Sequence, residues 1–321
     1  SISAWVKPKA IVGSSTIFDY RDANNDGIFL TLADGDVMYQ IDNTDGHYNS
    51  VLTLNQWWHI VATNDGSTST IYVNGVAVET ADTSGETINI SGSAVPRIGA
   101  RSHSGVDNEY NGNISDFAFY TSALTINQVK TIYNGREPYN HKEGVASGNL
   151  QAWYRMGDGA LDDYALIGDE TNATLGSDLI TNGSFDADSD WTKGTGWTIS
   201  GGSASCDGSQ SSGSSLYQED GTAFGSPDEQ GVWKITFEIS GYSAGTLQTG
   251  IGGYTYSATV SGDGVYTHYL LPTNTSSNAR VYINANSSFV GNVNYVKTQL
   301  VNGNASVMKN MSVTDIEGDT P

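Results

Sequence analysis

The stretch IYVNGVAV, residues 71–78, decides the fold of the first part of the chain. Asn74 and Gly75 are residue types that accept the positive φ angles of a type I′ turn. The arms on both sides of this pair are apolar, with β-branched residues at alternate positions: Ile71 and Val73 before the turn, Val76 and Val78 after it. The pattern therefore predicts a β-hairpin, and with it a sheet in this region.

Further strand-like runs fill residues 1 to 140: STIFDYRD, GIFLTLADG, DVMYQIDN, QWWHIVATND, PRIGARS and NGNISDFAFY. After Leu124 the apolar spacing changes to that of a helix, and Thr125 is a residue type that caps helices. We expect one short helix, closed by Gly135. Its predicted apolar face consists of Ile126, Val129, Ile132 and Tyr133.

The rest of the chain suggests a second strand-rich unit. Residues 141–176 are predicted to be a connector that contains the strand LQAWYRM and an acidic run, residues 177–301 a second β-sandwich, and residues 302–321 a tail or the start of a further unit. The 321 residues include 38 glycines and only 6 prolines. Short strands joined by tight turns give such a composition. The predicted class is all-β, with two β-sandwich (jelly-roll) domains and one helix closing the first.

The net charge of −21 excludes some partners. An acidic surface repels nucleic acid and anionic membranes, so we expect no nucleic-acid partner. No apolar run approaches the ~20 residues that cross a bilayer, so we expect no membrane insertion. The single cysteine, Cys206, lies in a Ser/Gly-rich loop without a nearby histidine, which favours a small-residue role over a nucleophilic one.

The sequence SISAWVKP already alternates like the interior of a strand. This pattern suggests that the given sequence starts inside a domain, so that the first sandwich is incomplete at its N-terminal end. An uncovered sheet edge invites pairing. We expect upstream sequence, or a strand from a neighbouring subunit, to cover it.

The segment from Asp22 to Gly27 has the spacing that opens an EF-hand calcium loop. Its twelfth position is Ala33, where the EF-hand requires a bidentate Glu, and strand-like residues follow it instead of a helix. The EF-hand interpretation fails on both counts. What remains is an acidic hairpin turn, with Asp22, Asn24 and Asp26 as candidate ligands for a structural calcium ion.

Residues 1 to about 135 resemble the laminin-G-like branch of the concanavalin A-like sandwiches. The resemblance rests on SISAWVKP, WWHIVATND, TIYVNGVAV, RIGAR and the segment YNGNISDFAFYTSALTINQVKTIYN. It implies a fold and leaves the function open. Family members usually have a further strand before the position of Ser1.

The second unit resembles the jelly-roll carbohydrate-binding modules that accompany glycan-degrading enzymes. Many of these modules hold a calcium ion at an Asn-Gly-x-Phe-acid start, which matches Asn182 to Asp186 here. The resemblance makes Asp186 a fourth candidate calcium ligand. These modules commonly have an Asp in the last strand, where this sequence has Asn294.

Sugars stack on aromatic faces and bind polar side chains through their hydroxyl groups. The second unit contains enough aromatic residues for such a site, although half or more of them are expected in the core. The candidate carbohydrate-binding residues are Trp191, Trp197, Tyr217, Tyr254 and Tyr256.

Catalysis by this chain is not expected. A retaining glucanase needs two carboxylates about 5 to 5.5 Å apart, which on one strand means acids at alternate positions. No strand-like run contains them. His59, which follows two tryptophans, is interpreted as a structural histidine.

Two stretches of the sequence and the arrangement of its modules resemble virion proteins of marine bacteriophages. The two stretches are NLQAWYRMGDG and NASVMKNMSVTDIEGDTP. This resemblance implies a non-enzymatic structural or adhesive protein of an extracellular assembly, on the virion surface, as in a tail fibre or capsid appendage. Its partners would be surface glycans or polysaccharide, and copies of itself or other virion proteins. The alternative is a carbohydrate-binding segment of a secreted glycan-degrading enzyme or of a bacterial surface adhesin.

Overall fold

The computed structural model describes residues 1–10, 13–42, 44–49, 52–91, 94–101, 107–136, 139–156, 166–219, 231–252, 255–272 and 280–307. Strands account for 55% of the structure, which confirms the all-β class. The chain forms two compact units, one built mainly on Ser1–Asp162 and the other mainly on Asn172–Met311. The finer division into connector and tail stays a prediction. Within the described ranges, no helix is both long and apolar enough to span a membrane.

The first unit is a sandwich of two antiparallel sheets. Its elements are β1 (Ile2–Pro8), β2 (Ser14–Arg21), β3 (Gly27–Ala33), β4 (Asp36–Ile41), β5 (Thr44–Tyr48), β6 (Trp58–Asn64), β7 (Thr68–Val73), β8 (Val76–Asp82), β9 (Arg97–Ile98), β10 (Gly112–Tyr120), α1 (Ile126–Tyr133) and β11 (Leu150–Tyr154), with short 3₁₀ helices at Asn134–Arg136 and Ser147–Asn149. One sheet has the order β11-β10-β1-β6-β7-β8 and the other β5-β4-β3-β2-β9. Apolar side chains from both sheets form one buried cluster, because successive residues of a strand point to opposite faces.

The predicted hairpin joins β7 to β8. Val73 pairs with Val76, and the two turn residues, Asn74 and Gly75, have φ angles of 48° and 77°. The first strand, β1, lies in the interior of its sheet, paired with β10 on one side and β6 on the other. The predicted connector strand, β11, extends this sheet beyond β10.

The predicted helix is also present. Thr125 accepts a hydrogen bond from the backbone N–H of Gln128, whose side chain accepts in return from the Thr125 N–H, so the two form a capping box. The helix ends at Tyr133, and its C-cap is Asn134, which takes the left-handed conformation one residue before the predicted glycine. Val129 and Ile132 are buried as expected, whereas Ile126 is exposed.

Beneath this helix, the outer face of the six-stranded sheet carries buried polar groups. His59 is 1% exposed; its Nε2 lies 2.9 Å from the hydroxyl of Ser3, and its ring packs 5.0 Å from that of Trp5. A second buried histidine, His141, lies 2.5 Å from the Tyr120 hydroxyl. These contacts support the structural interpretation of His59.

The second unit is also a sandwich of two antiparallel sheets. Its strands are β12 (Leu166–Gly168), β13 (Thr174–Asp178), β14 (Thr192–Lys193), β15 (Trp197–Ser200), β16 (Ser203–Asp207), β17 (Ser214–Glu219), β18 (Val232–Ala244), β19 (Leu247–Ile251), β20 (Thr255–Tyr256), β21 (Gly264–Leu270), β22 (Arg280–Ala285), β23 (Val290–Asn302) and β24 (Ala305–Val307). The front sheet has the order β14-β17-β22-β19-β20. The back sheet has the order β15-β16-β23-β18-β21, with β13 also paired to β23. Strands β12 and β24 form a separate pair.

The core of the second unit lies between these two sheets. Ile235 and Phe237 of β18 belong to the same buried cluster as Leu216 of β17 and Ile283 of β22. Cys206 is buried in this cluster, in agreement with its predicted small-residue role.

His59 should make the first unit sensitive to acid. Burial lowers the pKa of His59 to about 3, with a smaller contribution from His141 and an opposing one from Asp116. Because the unfolded chain has a histidine pKa of about 6.5, the stability that neutral His59 contributes is present above pH 6.5 and is lost as the pH falls toward 3. At pH 5 the loss is about 2 kcal/mol, since each unit of pKa difference corresponds to about 1.4 kcal/mol.

We therefore expect the variant His59→Phe, which keeps a ring beside Trp5, to show a flatter decline of unfolding free energy between pH 6.5 and 4. Urea denaturation at several pH values measures this slope. Replacing the exposed His47 with Gln serves as the control. Equal slopes for wild type and His59→Phe would contradict the prediction.

Candidate functional site

Three tyrosines lie in one row across the front sheet. Tyr217 of β17 is in register with Tyr282 of β22, Tyr282 with Gly250 of β19, and Gly250 with Tyr256 of β20. Residues in register across antiparallel strands share a face of the sheet. We call the surface formed by Tyr217, Tyr282 and Tyr256 the tyrosine face.

Strand alternation points this row away from the core. The residues on either side of Tyr282, Val281 and Ile283, are fully buried between the sheets, as is Leu216 beside Tyr217. Because successive side chains of a strand point to opposite sides, the tyrosines occupy the outer surface of the front sheet.

The three rings are neighbours in this row. The ring centroids of Tyr217 and Tyr282 are 5.8 Å apart, and those of Tyr256 and Tyr282 are 6.1 Å apart. Tyr256 is 37% exposed, Tyr217 is half-buried, and Tyr282 is 6% exposed. Tyr256 and Tyr217 therefore offer accessible ring surface on either side of a largely covered Tyr282.

Gly250 permits the position of Tyr256. A Cβ atom on residue 250 would lie 2.7 Å from Cδ1 and 2.8 Å from Cε1 of Tyr256, which is closer than side-chain carbons approach one another. The Tyr256 ring thus rests directly on the backbone of β19. Glycine at a strand position commonly marks such a close approach.

An ion pair borders the tyrosine face. Nη2 of Arg280 lies 2.9 Å from Oε2 of Glu219, and the guanidinium carbon of Arg280 lies 4.7 Å from the centre of the Tyr217 ring. The hydrogen bond with Glu219 raises the pKa of Arg280, and a hydrogen bond with Tyr282 adds to this effect. Arg280 is therefore held by a carboxylate and two tyrosines.

Polar side chains form the next row of the front sheet. Ser215 and Gln248 are both in register with Asn284, and the Ser215 hydroxyl donates to Oδ1 of Asn284 over 3.1 Å. Hydroxyl and amide groups beside an aromatic surface are the combination that binds sugar hydroxyls. The tyrosine face with this polar row is the candidate functional site.

The structure corrects the expectation for the two tryptophans. Trp191 is 7% exposed and packs 5.3 Å from Phe185, with its indole N–H donating to the carbonyl of Asn182. Trp197 is 4% exposed, and its N–H donates to the carbonyl of Ser214. Both belong to the core between the sheets, so neither ring face is available for stacking.

Of the three tyrosine candidates, the structure brings Tyr217 and Tyr256 to one surface, and Tyr254 lies outside the described residues. Sequence reasoning missed Tyr282 and Arg280. The signal was present in RVYINA, residues 280–285, where Arg280, Tyr282 and Asn284 alternate with apolar residues.

The acidic loop of the first unit is held by hydrogen bonds. Oδ1 of Asp22 accepts from the N–H groups of Asn24 and Asp26, and Oδ2 accepts from the N–H and hydroxyl of Ser91. Oδ1 of Asp26 accepts from the N–H of Asn89. The hydrogen bond from the Ser91 hydroxyl is the largest of the effects that lower the pKa of Asp22 to about 2. The Asp22 carboxylate is thus engaged by the protein itself.

The side chains at the Asn-Gly-x-Phe start of the second unit also make contacts within the protein. The Asn182 amide donates to the carbonyls of Ala187 and Ser189, and Phe185 is fully buried. Asp186 is exposed and accepts from the Ser184 hydroxyl at 2.6 Å. Among the described residues, no group of three or more His, Cys, Asp or Glu side chains has a geometry that could hold a metal ion. Calcium at either loop stays a prediction.

One pair of carboxyl groups was not visible in the sequence. Asp42, in the turn between β4 and β5, is hydrogen-bonded to Glu86, whose Oε1 also accepts from the hydroxyl of Thr44. Partial burial raises the pKa of Asp42, and the hydrogen bond to Glu86 and the charges of Asp26, Glu86 and Asp22 raise it further. The hydrogen bond places the Asp42 and Glu86 carboxyl groups in direct contact, whereas a retaining glycosidase holds its pair about 5 Å apart.

A family model confirms the resemblance seen in the first unit. Residues 1–130 match Laminin_G_3, described as the concanavalin A-like lectin/glucanases superfamily. The first unit is therefore similar to concanavalin A-like domains. A search of curated proteins returned no significant match.

Several solved structures are similar to parts of the chain. A candidate carbohydrate-binding protein from Bacteroides ovatus is 18% identical, with 53% of this chain and 48% of that chain aligned and a TM-score of 0.43. A SAP-like pentraxin from Limulus polyphemus is 22% identical over 41% of this chain and 68% of its own, with a TM-score of 0.36. Domain 4 of the extracellular arabinanase AbnA from Geobacillus stearothermophilus, solved with arabinotriose, is 23% identical over 41% of this chain and 65% of its own, with a TM-score of 0.34. At such identities and TM-scores, none of them assigns a ligand to this chain.

The Asp42–Glu86 pair generates a prediction about stability. Because the folded state raises the pKa of Asp42, the stability linked to its protonated form is lost as the pH rises through that pKa. We expect Asp42→Asn, which removes a charge and retains a hydrogen-bonding group, to raise the melting temperature at pH 7 and to have a smaller effect at pH 4.

Scanning calorimetry at both pH values tests this expectation. The contrasting variant is Asp65→Asn: backbone hydrogen bonds from Ser67 and Thr68 lower the pKa of Asp65, so its replacement should lower the melting temperature at pH 7. An Asp42→Asn protein that melts below wild type at pH 7 would show that the pair stabilises the fold.

Proposed function

We propose that this chain is a non-enzymatic glycan-binding protein and that the tyrosine face is its binding surface. The observation that carries the proposal is the alignment of Tyr217, Tyr282 and Tyr256 across four strands, next to the polar row of Ser215, Gln248 and Asn284. Pyranose rings have apolar C–H faces that pack on aromatic rings, while their hydroxyl groups bind amides and hydroxyls. The front sheet offers both kinds of contact in adjacent rows.

The contacts of the two accessible rings also support this proposal. The Tyr256 ring packs against Gly250, and the Tyr217 ring packs between Arg280 and Tyr282. Packing of this kind in the free protein reduces the conformational entropy that a side chain loses when a ligand binds.

The proposal extends to the setting of the protein. We infer a structural or adhesive role in an extracellular assembly, on the surface of a virion, as part of a bacteriophage tail fibre or capsid appendage. Copies of the chain and other virion proteins would be its partners. The resemblance of the module arrangement to virion proteins supports this setting, together with the all-β architecture. A carbohydrate-binding segment of a secreted enzyme or a surface adhesin is the alternative setting for the same surface.

Replacing Tyr256 with Ala tests the binding surface. We expect the purified variant to bind an immobilised glycan about tenfold more weakly than wild type, because truncating an aromatic anchor commonly costs more than about 1 kcal/mol and 1.4 kcal/mol corresponds to a factor of ten. A glycan array identifies the ligand, and calorimetric titration gives the dissociation constants.

The control is Tyr295→Ala, which removes a tyrosine from β23 of the back sheet. Equal loss of binding in both variants would mean that the tyrosine face is not the site. Wild-type protein that binds no glycan on the array would refute the proposed function, and release of reducing ends from a bound polysaccharide would refute its non-enzymatic part.

Calcium belongs to the proposal as a structural ion in one of the acidic loops. An ion that binds only the folded state stabilises it by about 2.7 kcal/mol at a hundredfold excess over its dissociation constant. We expect calcium added after dialysis against EDTA to raise the melting temperature, and Asp26→Asn or Asp186→Asn to abolish the rise according to which loop binds. Identical melting curves with EDTA and with calcium would remove calcium from the proposal.

A further inference from the structure

We propose that Glu219 determines the specificity of the tyrosine face by neutralising Arg280, so that the face accepts neutral glycans and rejects uronate-bearing or sulfated ones. This inference rests on the proposed function, because it concerns the ligand class of the same surface. It starts from the ion pair at the border of the site, where the side chains of Arg280 and Glu219 are 27% and 48% exposed.

Arginine next to an aromatic row would ordinarily attract an anionic sugar, since its planar guanidinium matches carboxylate and sulfate groups. In this protein, a carboxylate of the chain already pairs with the guanidinium of Arg280. Oε2 of Glu219 lies 2.9 Å from Nη2 of Arg280, and the guanidinium carbon lies over the ring of Tyr217. An anionic ligand would have to displace Glu219 or approach it at close range.

The other cation of the front sheet is compensated in the same way. The five strands of this sheet, all within the described residues, contain only two basic side chains, Lys193 and Arg280. Nζ of Lys193 is in contact with a carboxylate oxygen of Asp188. Each cation therefore has its own carboxylate partner.

The charge of the whole chain acts in the same direction. With a net charge of −21, the protein repels polyanions at distances up to the Debye length, about 8 Å at physiological ionic strength. A neutral glycan meets no such barrier. For a neutral ligand, Arg280 still supplies N–H donors, and Glu219 supplies an acceptor for sugar hydroxyls.

The variant Glu219→Gln tests this inference, because it removes the charge while keeping the shape of the side chain. The probes are laminarin, mannan and galactan, each paired with a C6-oxidised form that carries uronate groups. Affinities of wild type and variant are measured by affinity electrophoresis at low and high salt. The matched control is Glu238→Gln, which makes the same charge change on β18 of the back sheet.

We expect wild type to bind at least one neutral polymer and to bind its oxidised form more weakly. Glu219→Gln should gain about two- to fivefold in affinity for the oxidised polymer, in line with the strength of exposed charge pairs, and high salt should abolish the gain. The double variant Glu219→Gln/Arg280→Gln should lose this gain in affinity, a result that would attribute the gain to Arg280.

The outcomes separate the two proposals. Two outcomes overturn the role of Glu219 and leave glycan binding intact. In the first, wild type binds a neutral polymer and its oxidised form equally well. In the second, the Glu219→Gln variant binds the neutral polymer but gains no affinity for the oxidised one. A gain of the same size in Glu238→Gln assigns the effect to net charge and also overturns it. Wild type that binds none of the six polymers, and no glycan on the array, overturns the proposed function itself.

Discussion

The alternation of side chains along antiparallel strands is the constraint on which both the core and the candidate site depend. In β22, the same two-residue period that buries Val281, Ile283 and Ala285 between the sheets places Arg280, Tyr282 and Asn284 on the outer surface. A shift of one residue in register would exchange the two sets and bury a guanidinium group. The large free-energy cost of such an exchange fixes the pairing of β22 with β17 and β19. The packing of the core therefore determines where the tyrosine face lies.

Turn chemistry explains much of the acidity of the chain. The non-glycine residues with positive φ are all Asn or Asp in the described part, except Ala146, Met156 and Phe185. Several other aspartates accept the N–H of the residue two positions later, as Asp65, Asp82 and Asp207 do. In a protein made of short strands, many reversals of the chain are needed, and Asn and Asp stabilise them. The carboxylates of these turns accept hydrogen bonds that stabilise the local backbone.

The features that sequence reasoning predicted are those encoded by neighbouring residues. The Asn74–Gly75 hairpin and the Thr125 cap depend on positions only a few residues apart, so their patterns are complete in the sequence. Trp191 was wrongly assigned to the surface because it follows an irregular segment, where no periodicity distinguishes inside from outside. The Asp42–Glu86 contact joins distant segments and has no local pattern. The neighbourhood of Tyr282 similarly depends on a register between strands that only the three-dimensional structure supplies.

The close approach of Tyr256 to Gly250 has a consequence for how this surface can change. Any larger residue at position 250 would lift the ring from the sheet, so the position has no tolerance for side chains. Ser215, Gln248 and Asn284 bear no such restriction, because their side chains stand on the outer surface beside the rings. Variants with altered ligand preference would therefore retain Gly250 and Tyr256. They would carry their substitutions in the polar row, where side chains can be exchanged without displacing the aromatic rings.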